Sequence, residues 1–206
     1  MSNKPIIVFE GIEGSGKSHH IRKVSNFLKK KRIKFVLLRE PGGNPNSEKI
    51  RKLILNNKSK FNNKTDLLLY LSARSENIDT IKRNSKKKII LIDRFVDSTI
   101  AYQHYGMGLD LSLINSINKY LLKDIKVDFT FLNLVNEKNM LKRLQKRKVL
   151  NRYDKFNKKF YNKVQKGFLK LSQKKIKKYF VIDSNLDIKE NEKIVNHKIR
   201  KLLKIW

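Results

Sequence analysis

The most constraining feature of this sequence is the segment Gly11–Ser18, which reads GIEGSGKS and follows the short apolar run Ile6–Glu10. It satisfies the pattern G-x-x-x-x-G-K-[ST], in which glycines let backbone N–H groups turn inward around phosphate groups. An apolar run that ends at glycine is typical of a buried parallel strand, and the residues after the loop have helical spacing. A strand, a phosphate-binding loop and a helix in this order predict the first unit of an α/β domain.

The loop assigns chemistry to two side chains and to its own backbone. Lys17 would reach the β- and γ-phosphates of a bound nucleotide, and Ser18 would ligate Mg²⁺. The N-terminus of the following helix adds partial positive charge. The loop residues predicted to bind ATP are Gly11, Ile12, Glu13, Gly14, Ser15, Gly16, Lys17 and Ser18.

Apolar runs alternate with amphipathic stretches along the rest of the chain. The predicted strands are Ile6–Glu10, Phe35–Leu38, Ile89–Asp93, Phe129–Leu134 and Phe180–Asp183. The predicted helices are Ser18–Lys31, Ser47–Asn56, Thr65–Arg83, Leu111–Asp124, Asn136–Lys146, Phe160–Lys178 and Glu190–Lys204. This alternation predicts an α/β fold, a five-stranded parallel sheet flanked by helices, in one domain that spans the 206 residues. Ligands of such sheets bind beyond the carboxyl ends of the strands.

The net charge of +31 invites a nucleic-acid partner, but the composition favours another explanation. The chain contains 38 Lys and only 11 Arg, together with 21 Asn and 22 Ile. Lys, Asn and Ile have A/T-rich codons, so drift of an A/T-rich genome would raise all three. A phosphate-rich partner is the alternative. The arginines are then the informative cations, and we expect no specific nucleic-acid partner.

Several classes of site and location are excluded or disfavoured. Cysteine is absent, which excludes disulfides, a thiol nucleophile and Cys-ligated metal centres. No apolar run approaches the roughly 20 residues of a membrane span. The run Ile6–Phe9 is too short for a signal peptide. We therefore expect a soluble, cytoplasmic protein without a membrane partner.

A second chemical signal lies at the end of the strand Ile89–Asp93. Asp93 offers a carboxylate that could hold Mg²⁺ through water. The guanidinium of the adjacent Arg94 could clamp a phosphate with two parallel hydrogen bonds. A strand-ending Asp that only caps a turn is the structural alternative, and Arg94 argues against it.

The segment Asn63–Asp66 spells N-K-T-D, a guanine-reading pattern of GTPases. It follows a polar, Asn-rich stretch where an apolar strand would be needed. It also precedes the Asp93 strand, and no D-x-x-G lies between it and the phosphate loop. We interpret the match as coincidence in a chain rich in Asn and Lys.

Four segments together resemble bacterial thymidylate kinases, which are P-loop kinases that phosphorylate dTMP. They are Phe9–Ser18, Arg39–Gly43 with Glu48–Arg51, Asp93–Gln103, and a basic excursion that contains Asn151 and Arg152. The resemblance implies a P-loop NTPase-type fold, a homodimer, and the Mg²⁺-dependent reaction ATP + dTMP → ADP + dTDP.

The resemblance also implies how the acceptor phosphate is held. Arg94 and Arg51 would grip the phosphate of dTMP, and Arg39 would support the side of the site that these two arginines form. Glu13 would lie between the sugar and the phosphates and help to place the acceptor and the metal. Asp93 would hold Mg²⁺ through water.

For the base, the resemblance implies a second set of residues. Tyr70 would stack on thymine, and Arg74, four residues later on the same helix face, would donate to a thymine carbonyl. Thr99 and Gln103 would complete the base edge, and Tyr102 would pack near the sugar. From the residues alone, Tyr70 in its run of leucines could equally be a core aromatic.

The segment 145–159 is strongly basic and poor in apolar residues, so it is predicted to be an exposed, mobile lid. The phosphate loop has Ser15 where some relatives have Arg, and in the family such loops occur with a lid that brings arginines to the phosphates. By position, Arg143 would cover adenine, whereas Arg147 and Arg152 would approach the transferring phosphate. A solvated basic loop is the alternative.

Two other functions stay open at this point. A deoxynucleoside kinase would need a carboxylate base near the 5′-hydroxyl, whereas this chain offers Arg51 and Arg94 where a monophosphate would lie. A basic nucleic-acid-binding relative would be expected to have lost Lys17, Ser18, Asp93 or Arg94, and all four are present. A regulatory GTPase lacks a credible guanine site.

Overall fold

Five parallel strands form one sheet with the order β2-β3-β1-β4-β5 in the computed structural model, which describes residues 4–205. The strands are β1 (Ile6–Glu10), β2 (Phe35–Arg39), β3 (Ile89–Asp93), β4 (Phe129–Leu134) and β5 (Tyr179–Asp183). All four neighbouring pairs are parallel. The predicted α/β fold is confirmed, and the carboxyl ends of the strands meet at one edge.

Within residues 4–205, eight α-helices flank the sheet. They are α1 (Lys17–Lys30), α2 (Pro45–Leu55), α3 (Asn63–Ser85), α4 (Val96–Thr99), α5 (Leu111–Leu122), α6 (Glu137–Gln145), α7 (Lys158–Lys174) and α8 (Ile188–Leu203). None of the helices within residues 4–205 is long and apolar enough to cross a membrane.

The central strand β1 is buried on both faces, so its side chains divide between two cores. Ile7 and Phe9 pack with residues of α1 and α8, including Val24 and Val195. On the opposite face Val8 packs with residues of α3 and with Phe95, which follows β3. The burial of both faces removes β1 from water and fixes the position of the loop that follows it.

The helix bounds differ from prediction mainly between β3 and α5. There the chain forms the short helix α4 and a π-helical segment, Ile100–Gly106, neither of which is among the predicted helices. The predicted helix to Lys178 was too long, because α7 ends at Lys174 and a 3₁₀ turn leads into β5. The π-helical segment packs mainly on α7.

The basic segment 145–159 is only partly as predicted. Residues 145–150 are exposed, whereas Tyr153 and Asp154 are buried, with 3% and 8% of their surfaces accessible. The expectation of an exposed excursion was wrong for these two side chains, because Tyr153 packs among aromatic rings and Asp154 binds a lid arginine.

Candidate active site

The phosphate loop follows β1 and closes over its own lysine. Gly11 has a φ of +138°, and a Cβ there would lie 2.3 Å from the carbonyl oxygen of Asn133 on β4, so only glycine fits. The Lys17 ammonium donates to the carbonyl oxygens of Gly11 and Ile12, each at 2.9 Å. Burial, followed by the charge of Arg94, lowers the pKa of Lys17 to about 7. A phosphate in the loop would restore the charged form.

Arg94 connects the end of β3 to the phosphate loop. Its backbone adopts a φ of +65°, a conformation that is uncommon for a residue with a side chain. Its Nη1 donates to Gly11 O at 2.7 Å, and its Nη2 donates to Glu13 Oε1 at 2.8 Å. The Tyr102 hydroxyl donates to the other Glu13 oxygen. The predicted residues Glu13, Arg94 and Tyr102 therefore form one cluster.

The charges of this cluster support one another. Burial alone would raise the pKa of Glu13, but the charges of Arg94 and Lys17 outweigh it and lower that pKa below its usual value. Burial would also lower the pKa of Arg94, but Glu13, Tyr102 and Asp93 raise it well above its ordinary value. The cluster therefore keeps a carboxylate and a guanidinium ionised beside the phosphate loop.

Arg51 and Arg39 occupy different positions relative to the cavity that the phosphate loop lines. Arg51 donates to Pro41 O at 2.6 Å and lines a cavity of about 150 Å³ that Lys17, Ser18 and Arg94 also line. Arg39 makes a bidentate pair with Glu48, at 3.0 and 2.9 Å, outside that cavity. The structure thus brings Arg51, but not Arg39, to the cavity that Lys17 lines.

The predicted base pocket is nearly closed. Between Tyr70, Tyr102 and Gln103 lies a cavity of only about 20 Å³. The ring of Tyr153 packs edge-on against Tyr70, with centroids 5.7 Å apart, and Gln103 donates to the Tyr153 hydroxyl at 3.3 Å. A thymine ring requires this pocket to widen, and Tyr153 is the side chain from the basic segment that occupies it.

Arg74 and Thr99 lie behind this pocket. Arg74 is 1% exposed and donates to Glu40 at 2.8 Å, to Asn118 at 2.6 Å and to the Thr99 hydroxyl at 2.8 Å. These bonds use three of the five N–H groups of a guanidinium and leave two unused. The structure does not place Arg74 on the surface of either cavity.

Asp93 is the residue predicted to hold Mg²⁺ through water. Its Oδ1 atom is buried and has no hydrogen-bond partner among residues 4–205, and the residue lines the cavity that Ser18 also lines. Mg²⁺ in nucleotide sites needs only one or two protein oxygens, because phosphates and water complete its shell. Nowhere in the described part of the chain do three metal-binding His or carboxylate side chains cluster. The donor set suits a nucleotide-bound Mg²⁺.

The two lid arginines differ in their partners. Arg147 forms an ion pair with Asp154. It also lines the cavity of about 150 Å³ beside Lys17, Arg51 and Arg94, which we call the central cavity. Arg152 binds the buried Asp66 of α3, donates to Ile54 O at 3.0 Å and does not line that cavity. Of the two, Arg147 therefore lines the cavity beside Lys17, and Arg152 does not.

Arg143 also contacts the phosphate loop. It extends from α6 and donates to Gly14 O at 2.9 Å and to Ser184 O, after β5, at 2.6 Å. Its guanidinium therefore joins the loop to the chain segment beyond β5, a position that suits a cover for adenine.

Sequence reasoning gave no role to four side chains that shape this site. No recognisable motif assigns a role to Glu10 or Asn118: Glu10 is an acid at the end of a strand, and Asn118 is an amide within a helix. Asp66 belongs to the rejected N-K-T-D match, which forms the first turn of α3, and it binds Arg152 and the Tyr153 hydroxyl. Tyr153 follows Arg152 directly, so an aromatic residue inside a basic run was the available signal.

The fold and the site together define a P-loop phosphotransferase with a second anion site of arginines facing the phosphate loop. A family model described as thymidylate kinase matches residues 9–195. The chain therefore belongs to the thymidylate kinase family.

Individual relatives agree over nearly the whole chain. The thymidylate kinase of Wolbachia pipientis wMel is 38% identical over 201 residues, covering 95% of this chain and 98% of its own. That of Sulfurihydrogenibium sp. is 37% identical over 192 residues, covering 92% and 93%. The crystal structure of thymidylate kinase from Ehrlichia chaffeensis superposes with a TM-score of 0.74 at 31% identity, covering 99% of this chain and all of that one.

Proposed function

We propose that Arg94, Arg51 and the phosphate loop carry out the reaction that family membership assigns, transfer of the γ-phosphoryl group of ATP to dTMP. The observation that carries this proposal is the cavity of about 150 Å³ in which Lys17, Arg51 and Arg94 converge. Arg147 also lines it, and four cations around one small cavity suit two facing polyanions. The family's products are ADP and dTDP, which lead to dTTP.

The step itself needs no general base. A phosphate oxygen of dTMP attacks the γ-phosphorus, the bond from the γ-phosphorus to the bridging oxygen breaks, and ADP leaves. Lys17 holds the donor phosphates, while Arg94 and Arg51 hold the acceptor phosphate in line. Glu13 fixes Arg94, and Tyr102 fixes Glu13. Catalysis is therefore positioning and charge neutralisation.

For the metal, we propose that Ser18 and, through water, Asp93 hold Mg²⁺, with Glu13 nearby. When bound, Mg²⁺ neutralises charge on the donor phosphates. The unpartnered Asp93 Oδ1 supports this assignment.

On the donor side we propose that Arg143 covers adenine and that Arg147 is the lid cation. Arg152 reaches the phosphates only if its bond to Asp66 breaks. Tyr70, Gln103 and the two unused N–H groups of Arg74 would recognise thymine once Tyr153 moves out of the pocket, with Thr99 behind them. The lid then corresponds to residues 145–159 of a single domain, and a cytoplasmic homodimer is the expected state of the enzyme.

Binding measurements test the acceptor assignment. Calorimetric titration of dTMP should give a Kd at least about tenfold weaker for Arg94→Ala and Arg51→Ala than for the parent chain. Arg83→Ala, an exposed arginine on α3, is the matched control and should bind normally. Thymidine, which lacks the phosphate, should bind all four proteins equally. Equal dTMP affinity in all four would refute the proposed clamp.

A further inference from the structure

Glu10, the last residue of β1, is fully buried directly before the phosphate loop. Three donors converge on its carboxylate. They are the Phe95 N–H at 2.8 Å, the Ser98 N–H at 3.3 Å and the Ser98 hydroxyl at 2.5 Å. All three belong to the segment that follows Arg94, so Glu10 fastens that segment to the central strand.

The Ser98 hydroxyl links Glu10 to Arg94. Ser98 gives its single hydroxyl proton to Glu10, and its oxygen accepts from Arg94 Nη1 at 3.3 Å. Arg94 itself occupies the left-handed region, which is maintained only when surrounding contacts enforce it. The bonds from Glu10 to Phe95 and Ser98, directly after Arg94, are such contacts.

The charges around Glu10 do not favour its ionised form. Burial, then the nearby carboxylate of Asp97, raises the pKa of Glu10 to about 7. The other charged or titratable groups that face it are Arg94, Lys17 from α1 and Tyr179 from β5. Lys175 acts on Asp97 from the end of α7.

No ion pair neutralises Glu10 within residues 4–205. A buried carboxylate in such surroundings lowers stability when it is ionised. Its presence is therefore better explained by the three donors it positions than by stabilisation of the fold.

We propose that Glu10 is a positioning residue for acceptor binding: its carboxylate, through Ser98, holds Arg94 in the orientation that grips the phosphate of dTMP, and protonation releases that hold. This inference rests on the proposed function of Arg94. Glu10, at the end of β1, thereby controls how tightly the acceptor binds as the pH changes.

The test compares the parent chain with Glu10→Gln, which keeps the size of the side chain but cannot ionise. The KM for dTMP is measured from about pH 6 to about pH 9 with saturating ATP, so that bound phosphates keep Lys17 charged. Near pH 8 the variant should have a KM about three- to tenfold higher than the parent chain. As the pH falls below about 7, the two KM values should converge. The ionisation of the dTMP phosphate near about pH 6 affects both proteins and cancels in their ratio.

Two further variants separate positioning from a general structural defect. Asp97→Asn removes the nearby negative charge, which should lower the pKa of Glu10. As the pH falls, the KM of this variant for dTMP should therefore begin to rise at a lower pH than that of the parent chain, and the two KM values should be equal at high pH. Ser98→Ala removes the hydroxyl that joins Glu10 to Arg94, so it should raise KM for dTMP at high pH, converge with the parent chain below about pH 7 and leave KM for ATP unchanged.

The outcomes distinguish this inference from the proposed function. A parent chain that does not phosphorylate dTMP refutes the proposed function itself. If the parent chain is active but the ratio of its KM for dTMP to that of Glu10→Gln is constant across the pH range, the proposed role of Glu10 is refuted. If Glu10→Gln does not fold, Ser98→Ala decides alone, and an unchanged KM for dTMP in that variant overturns the inference.

Discussion

The phosphate-loop cluster and the lid both carry arginines, but they hold them in different ways. Arg94 is fixed by Gly11, Glu13 and Ser98, all close to the carboxyl edge of the sheet. The lid arginines pair with acids outside the phosphate loop, Asp154 for Arg147 and Asp66 for Arg152.

The difference separates a preorganised site from one that must rearrange. In the first region the cation already faces the central cavity, whereas in the second Arg152 must exchange a carboxylate for a phosphate before it can assist transfer. Binding energy spent on such an exchange is lost to catalysis. Variants in the first region should therefore have the larger effects.

The largest effect is expected for Lys17→Ala, which removes the cation that reaches the donor phosphates. The kcat/KM for ATP should fall by at least about a thousandfold. Because Lys17 is buried with a lowered pKa, its removal should not reduce the melting temperature. A variant that retains activity within tenfold of the parent chain would show that the loop does not bind the donor as proposed.

Arg94→Ala should have the next largest effect. Loss of the acceptor clamp should reduce kcat by about a hundred- to a thousandfold and leave the Kd for ATP nearly unchanged. Arg83→Ala provides the control for loss of one positive charge. An Arg94→Ala enzyme with normal turnover would count against the preorganised site.

The lid variants compare two arginines of the same segment. Arg147→Ala should lower kcat about ten- to a hundredfold, because this side chain reaches the cavity. Arg152→Ala should lower it less, and Asp66→Asn should increase the rate of lid opening, measured by stopped-flow fluorescence of a labelled lid. A greater loss from Arg152→Ala than from Arg147→Ala would reverse the assignment.

The smallest expected effect is on stability and concerns Glu10. Its pKa is raised by burial and by Asp97 from 4.5 to about 7, so the folded chain binds this proton more tightly than the unfolded chain. The stability of the parent chain should therefore fall as the pH rises through that range. Glu10→Gln should melt a few degrees higher than the parent chain near pH 8 and similarly near pH 5. A variant that melts lower at high pH would contradict this sign.

The sequence predicted the fold and the phosphate-loop region well because both depend on local patterns. An apolar run before glycines indicates a strand followed by a loop. The carboxyl edge of a parallel sheet then brings Lys17, Asp93 and Arg94 together, whichever helices connect the strands. The elements of the sheet were found within a residue or two of their bounds.

The lid and the base pocket were harder to predict because their contacts join distant parts of the chain. Asp66 and Arg152 are 86 residues apart, and no local pattern indicates that they pair. Tyr153 is buried because aromatic rings of α3 and of the π-helical segment surround it, although its own neighbours are charged. The resemblance gives Arg74 a role at the base, but it does not reveal that Glu40, Asn118 and Thr99 already hold this side chain.

The most direct test of the whole account is initial-rate turnover of the purified chain with ATP and Mg²⁺ in a coupled ADP assay. The acceptors are dTMP, dUMP, dCMP, AMP and thymidine at matched concentrations. The account predicts that dTMP is phosphorylated with the highest kcat/KM and that thymidine, which lacks the phosphate bound by Arg94 and Arg51, is not phosphorylated. Turnover of thymidine without turnover of dTMP would contradict it.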